Sequence, residues 1–183
     1  MGTVTTLPRG RPLTAADLAA MPDDGHRYEL IDGTLVVTPA PSLRHQLVSS
    51  RLANLLDRHC PTGLLVLTAP TDVRLADDTL LQPDILVVAR ETFDREKQSL
   101  PAVLLAVEIL SPSTRHVDLS LKRARYEVAG CPAYWVVDPD ALELTAWELS
   151  GDAYREVGHV SGDAAFAATQ PFPVEVVPTE LVR

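Results

Sequence analysis

A carboxylate stands where a chain of this kind can least accommodate one. Val103-Leu-Leu-Ala-Val-Glu108-Ile-Leu110 is an apolar run of the sort that forms a strand buried on both faces, and Glu108 is its only polar residue. A buried carboxylate is costly unless something pairs with it. Gln82-Pro-Asp84-Ile-Leu-Val-Val88 places a second acid at the mouth of another apolar strand, and Glu29 is a third, inside Tyr28-Glu-Leu-Ile31. Taken singly each has a plain structural reading: Asp84 as a loop cap after Pro83, Glu108 as the partner of a buried arginine, Glu29 as the solvent side of an edge strand. Taken together, two or three converging carboxylates repel one another unless a cation sits among them. Oxygen-only ligation suits Mg2+ or Mn2+.

The chain's lysines carry a second signal. Of 16 basic residues 14 are arginine, and only Lys97 and Lys122 are lysine. Thr114 to Ala129 reads as a helix, with Asp118 one turn before Lys122 and Tyr126 one turn after it. Leu121, Ala124 and Val128 read as its apolar stripe, leaving Lys122 and Tyr126 beside that stripe. One reading makes Asp118 and Lys122 an exposed pair worth a few tenths of a kcal/mol. The other has the ammonium reach the acids, where it orients a water or offsets charge developing on a phosphate.

The broad class follows from size and composition. A chain of 183 residues with 46% hydrophobic and 22% charged residues has ordinary globular composition, which excludes a disordered, collagen-like or coiled-coil chain. Its length favours one domain over residues 14–183 after a flexible lead-in over 1–13. No apolar run approaches the roughly 20 residues of a membrane span, and no signal peptide is read at the start, so the expectation is a cytoplasmic protein. Cys60 and Cys131 each precede a proline without metal-ligand spacing, as free thiols would. Phosphate-binding glycine loops, nucleophile elbows, HExxH and CxxC are all absent.

The net charge of −9 argues against a general nucleic-acid coat, but it is unevenly spread. From Asp138 onward there are 9 acidic and 2 basic residues, whereas Arg44–His59 and Arg115–Arg125 are locally positive. Any DNA contact would therefore be confined to a patch such as Arg44, His45, Arg51, Arg123 and Arg125. For His45 a surface or packing role stands beside a phosphate contact.

Along the chain, Thr14 to Met21 reads as a short capped helix, and Arg27–Ile31 with Leu35–Thr38 as a hairpin turning at Asp32-Gly33. Leu43, Leu47, Leu52, Leu55 and Leu56 give a helix over Ser42–Cys60 stopped by Pro61. Strands are expected at Leu64–Thr68, Val73–Leu75, Ile85–Ala89, Val103–Leu110 and Ala133–Asp138, and a second hairpin at Leu142–Leu149 and Tyr154–Val160. The Ala- and Pro-rich segment beyond Gly162 reads as a surface wrap. The fold class is α/β (α+β), with a central mixed sheet flanked by helices and extra β-hairpins.

These motifs form a set: Tyr28-Glu-Leu-Ile-Asp-Gly33, Pro39-Ala-Pro-Ser-Leu-Arg-His45, Pro83-Asp84, Glu108-Ile-Leu-Ser-Pro-Ser-Thr114, Asp118 to Lys122 with Tyr126 and Gly130, and Tyr134-Trp-Val-Val-Asp-Pro139. The set, spanning about Thr14 to Val157, resembles the Uma2 family, bacterial restriction endonuclease-like members of the PD-(D/E)xK nuclease superfamily. The resemblance implies a restriction-endonuclease-like core and Mg2+-dependent hydrolysis of DNA phosphodiesters. It implies metal binding by Asp84 and Glu108, with Glu29 assisting. One departure stands out: the superfamily lysine belongs two residues after Glu108, where this chain has Leu110, and Lys122 is the candidate replacement. Two other readings remain: a catalytically inactive interaction module, as a homodimer, or a metal-dependent phosphodiesterase acting on small nucleotides. Ser111 and Thr114 suit a helix cap better than a reactive role.

Overall fold

The computed structural model describes residues 10–21, 26–94, 96, 99–112 and 114–183. The lead-in expected over 1–13 falls outside these up to residue 9. A short helix α1 (Ala15–Leu18) precedes the hairpin β1 (Arg27–Ile31) and β2 (Thr34–Thr38). Its two-residue turn puts both Asp32 (φ 51°) and Gly33 (φ 72°) in the left-handed region, and a Cβ on Gly33 would lie 2.4 Å from Pro12. Helix α2 (Leu43–His59) starts at Ser42, whose hydroxyl accepts from the His45 amide at 3.2 Å. Strands β3 (Leu64–Thr68), β4 (Asp72–Ala76), β5 (Thr79–Leu81), β6 (Ile85–Ala89), β7 (Ser99–Leu100) and β8 (Leu105–Ile109) follow.

A π-helical turn (Val117–Lys122) then runs into α3 (Arg123–Val128), with Ser111 Oγ accepting from the Thr114 amide at its start. The chain ends with β9 (Ala133–Asp138), β10 (Glu143–Ser150), β11 (Ala153–Ser161), β12 (Phe166–Ala168), β13 (Val174–Val176) and a 3-10 turn (Pro178–Leu181).

The mixed central sheet has the order β11-β10-β9-β8-β6-β3, with β8 and β9 parallel and its other pairs antiparallel. Because side chains alternate along a strand, this sheet feeds two cores. Val87, Val107 and Trp135 face α2 through Val48, Leu52 and Leu56. Leu86, Ala106 and Tyr134 face the other way, toward Tyr126 and a second sheet of order β2-β1-β5-β4-β7. The expectation of a mixed sheet with helices and added hairpins holds. Of the two expected hairpins, β10–β11 extends the central sheet, whereas β1–β2 belongs to a separate five-stranded sheet that the sequence did not suggest, because β5 and β7 are too short for a periodicity signal.

Three local expectations change. The segment beyond Gly162 does not wrap the surface: Phe166, Phe172, Val174, Val176 and Leu181 all enter the α2-side core, and Phe166 meets Trp135 edge-on at 5.5 Å. Its prolines and alanines masked two three-residue strands. On α2 the buried stripe is His45, Val48, Ser49, Leu52, Ala53 and Leu56, while Leu43 and Leu47 are exposed. In the helix after β8, Leu121, Ala124 and Val128 point to solvent and Asp118, Lys122 and Tyr126 point inward, the reverse of the hydrophobic-stripe reading.

Cys60 and Cys131 are both free. Among the described residues no helix is long and apolar enough to cross a membrane. Since Phe166 anchors the C-terminal hairpin in the main core, Phe166→Ala is expected to cost about 3–5 kcal/mol. A shift of the urea midpoint at unchanged m-value checks this.

Candidate active site

The pairing of β6 with β8 explains why two distant acids meet. Ile85 lies opposite Val107 in this antiparallel pair, so one step further along the same register Asp84 lies opposite Glu108. Both lie on the sheet face of Leu86 and Ala106, and Asp84, just before β6 begins, is also within reach of His45 from the first turn of α2. Glu29 arrives from β1, whose Leu30 pairs with Leu80 of β5, and the inward face of the π-turn supplies Asp118 and Lys122. Each of these five residues is at most 3% exposed.

Two linked sub-clusters result. In one, the Lys122 ammonium lies 2.9 Å from Glu29 Oε1, 3.2 Å from Glu108 Oε1 and 3.3 Å from Asp118 Oδ1. The Gln82 amide also donates to Glu29 Oε1 at 2.8 Å. The other centres on Asp84, whose Oδ1 takes Arg27 Nη1 at 3.1 Å, while Oδ2 takes the Ile109 amide at 2.8 Å and His45 Nε2 at 3.1 Å. That contact assigns the Nε2 proton of His45 toward Asp84, and its Nδ1 is buried without a hydrogen-bond partner among the described residues.

The electrostatics follow from this layout. Burial pushes Glu108 well above the ordinary carboxylate range; Lys122 opposes the shift, and Asp118, Asp84 and Glu29 add to it. Asp118 is raised by burial against the same opposition from Lys122. Asp84 behaves oppositely: burial would raise it, but the His45 hydrogen bond, the His45 and Arg27 charges and the Ile109 amide bring it below its ordinary value. Burial alone would strip Lys122 of its proton, yet Glu108, Glu29 and Asp118 outweigh burial and raise its pKa. Behind it the Tyr126 hydroxyl, buried and without a hydrogen-bond partner among the described residues, is pushed up by burial and by the Glu108 charge.

A cavity of about 230 Å3 opens onto both sub-clusters, walled by the Pro39–Ser42 segment, Ser111-Pro112 and Pro139-Asp140. Asp84, Glu108, Glu29, Lys122, His45 and Arg44 all line it, so the structure brings together the acids and lysine singled out in the sequence. Arg44 sits at its rim, 3.0 Å from the Pro139 carbonyl and 3.5 Å from Asp140. Arg51, Arg123 and Arg125 do not line it. Arg51 donates to the Glu180 carbonyl, Arg123 lies 5.1 Å above the Trp147 ring, and Arg125 pairs with Asp32 at 3.1 Å. Sequence reasoning missed Arg27, and it treated Asp118 only as a helix-surface partner. Position 27 opens the Tyr-Glu-Leu-Ile strand, two residues before Glu29 and therefore on its face, and that spacing was the available signal.

As a metal site, the cluster offers the hard oxygen donors that a small divalent cation prefers. Asp84 and Glu108 line the same cavity, and among the described residues Asp118 Oδ1 is buried without a hydrogen-bond partner, 3.3 Å from the ammonium. Among the described residues no three His, Cys, Asp or Glu side chains stand already gathered as a ligand set, because Lys122 and Arg27 occupy the cationic positions between the acids. The donors fit in kind, and both oxygens of Asp84 are engaged by the protein.

Comparison with known proteins adds three findings. The Uma2 family model, described as "Putative restriction endonuclease", matches residues 15–180. Among solved structures, the chain is similar to a crystal structure of a "putative nuclease belonging to DUF820" from Anabaena variabilis ATCC 29413, with a TM-score of 0.74 at 18% identity, covering 93% of this chain and 98% of that one. At that identity the likeness shows the fold. No curated protein matches the chain.

Removing the ammonium tests the cluster directly. Lys122→Met leaves three buried carboxylates without their shared counter-charge and is expected to cost about 3–5 kcal/mol near pH 7. Glu108 and Asp118 have native values above their unfolded ones, so the folded state binds extra protons between the two and stability falls as pH rises through that interval. The variant's loss should therefore be smaller at pH 5 than at pH 8, as read by urea melts at both.

Proposed function

Because the chain belongs to the Uma2 family, we propose that it is a divalent-metal-dependent hydrolase of DNA phosphodiester bonds, with Asp84 and Glu108 holding Mg2+ or Mn2+. The observation that carries this reading is that those two acids, from adjacent strands' ends, line one small cavity together with an ammonium 3.2 Å from Glu108. The ion would lower the pKa of a bound water and polarise the phosphate. In the overall reaction the water oxygen bonds to phosphorus and the phosphorus–oxygen bond to the departing sugar breaks.

The protein's own groups divide the remaining work. Lys122 keeps its proton at neutral pH because three acids surround it, and a fixed positive charge there orients water and offsets charge developing on the phosphate oxygens. Glu29 assists by fixing that ammonium, since its Oε1 is already held by Lys122 and the Gln82 amide. His45 is a positioning residue: its Nε2–H holds Asp84 Oδ2 beside the Ile109 amide. Leu110, at the usual lysine position, is buried and donates its amide to Val137, so it has no part in activating water.

An inactive interaction module is the second reading, and it draws on the engagement of both Asp84 oxygens by Arg27, His45 and Ile109. Metal separates the two. For the hydrolase, Mg2+ or Mn2+ raises the melting temperature, by an amount equivalent to about 2.7 kcal/mol at a hundred-fold excess over Kd. Plasmid DNA is then nicked in a metal-dependent way, and Asp84→Asn and Glu108→Gln both lose the nicking and most of the thermal gain. In EDTA Glu108→Gln should melt no lower than the parent, because it removes a repelling charge at nearly constant shape. Indifference of the parent to metal in both assays would favour the inactive module. Hydrolysis of small phosphodiesters without nicking would point to a small-nucleotide enzyme.

A further inference from the structure

The small cavity is not the only opening at Asp84. A cleft of about 1420 Å3 runs between α2 and the β1–β5 side of the second sheet, and it joins the small cavity at Arg27, His45, Asp84 and the 39–41 segment. Its α2 wall carries Gln46, Ser49, Ser50 and Asn54, which recur at helical spacing and form a neutral hydrogen-bonding stripe. Gln46, Ser50 and Asn54 are exposed. The opposite wall includes the rings of His26 and Tyr28, with centroids 6.2 Å apart.

We propose that the cleft is a binding track for a single strand of DNA, and that Arg27 at its inner end receives the phosphate that enters the small cavity. The inference rests on the hydrolase reading and names the form of its substrate. Size is the first argument. The small cavity falls below the roughly 300–1,000 Å3 of pockets that enclose drug-sized ligands, so it admits a phosphate and its sugar but not a base-paired duplex. The cleft, at about 1420 Å3, exceeds that range, as a track for several linked nucleotides must. A flexible single strand can lie along the cleft and turn one phosphate inward, whereas a duplex holds its backbone on a stiff cylinder.

Chemistry is the second argument. Amide and hydroxyl side chains hydrogen-bond the edges of unpaired bases, and rings offer stacking surface that tolerates any base. Phosphates are common to strand and duplex, and the cleft's arginines are Arg27 and Arg74, so the preference for a single strand comes from the groups that meet unpaired bases rather than from charge. Arg27 is the junction's guanidinium. Its side chain is 20% exposed against 4% for Asp84, so it reaches solvent while still holding the acid. A divalent ion on Asp84 competes with that contact, and the released guanidinium is then free to make charge-assisted bonds to a phosphate.

The test uses the full chain with a short fluorescein-labelled DNA strand and the duplex of the same sequence, in Ca2+ to hold turnover back. Anisotropy is expected to show the single strand bound about ten-fold or more tighter than the duplex. Gln46→Glu with Asn54→Asp, both exposed changes that put negative charge on the stripe, should weaken strand binding by a similar factor while calorimetric Ca2+ affinity stays at the parent value. Arg27→Gln should weaken strand binding and tighten Ca2+ binding, because it removes the cation that competes for Asp84. Equal or tighter binding of the duplex, or indifference to the stripe substitutions, overturns the track. Failure of the hydrolase reading looks different: the strand is bound through the stripe, but neither strand nor duplex is cut in Mg2+.

Discussion

One ammonium holds the interior of this protein together. Lys122 is the cation shared by three carboxylates from three parts of the chain: Glu29 of the first hairpin, Glu108 of the central sheet and Asp118 of its own helix. A single positive charge among three negative ones leaves that sub-cluster short of cation. Burial, with the repulsion among these acids added to it, raises Glu108 and Asp118 in spite of the ammonium. Asp84, one strand away, has the opposite condition, with Arg27 and His45 around one carboxylate and a lowered pKa. The site is thus polarised across a single strand pair: proton-hungry at Glu108 and shielded at Asp84. A divalent cation placed between them would meet an acid that gains from its arrival and another that must first release a guanidinium.

The parts of this site that were legible in the sequence are those that break a pattern. Glu108 shows because it interrupts an apolar strand, Asp84 because it opens one, and Lys122 because the chain otherwise uses arginine. The helix face was misread for the same physical reason in reverse. Hydrophobic periodicity assigns the apolar stripe to the interior, but here the interior is ionic, so Leu121 and Val128 are left facing water. The turn is also π-helical over Val117–Lys122, which alters the angular spacing that an α-helical wheel assumes. Arg27 and the second role of His45 stayed hidden because each depends on a partner more than thirty-five residues away, and no local pattern encodes such pairing.

The same limit applies to the fold. Long elements with a clear period were visible, and the mixed central sheet followed from them. The C-terminal hairpin was not, since three residues of strand carry almost no period and the prolines between and after the two strands argue for a loop. Burial decides otherwise: Phe166 lies against Trp135, and Gly158 leaves room for it, a Cβ there falling 2.4 Å from the Phe166 ring. A segment that reads as a tail is a wall of the main core.

The position of Leu110 acquires a physical meaning in this frame. Residues two apart on a strand share a face, so a lysine at 110 would project on the same side as Glu108. Here that side is filled from the helix: Lys122 brings its ammonium to Glu108, and Leu110 joins the apolar cluster that includes Tyr126. Placing a lysine on the strand as well would bury a second ammonium beside the first, and removing Lys122 to make room would strip Glu29 and Asp118 of their partner. The positive charge within hydrogen-bond reach of the strand acid is supplied here by a helix packed on that sheet face. In doing so that helix ties the first hairpin and the π-turn into the same ionic core.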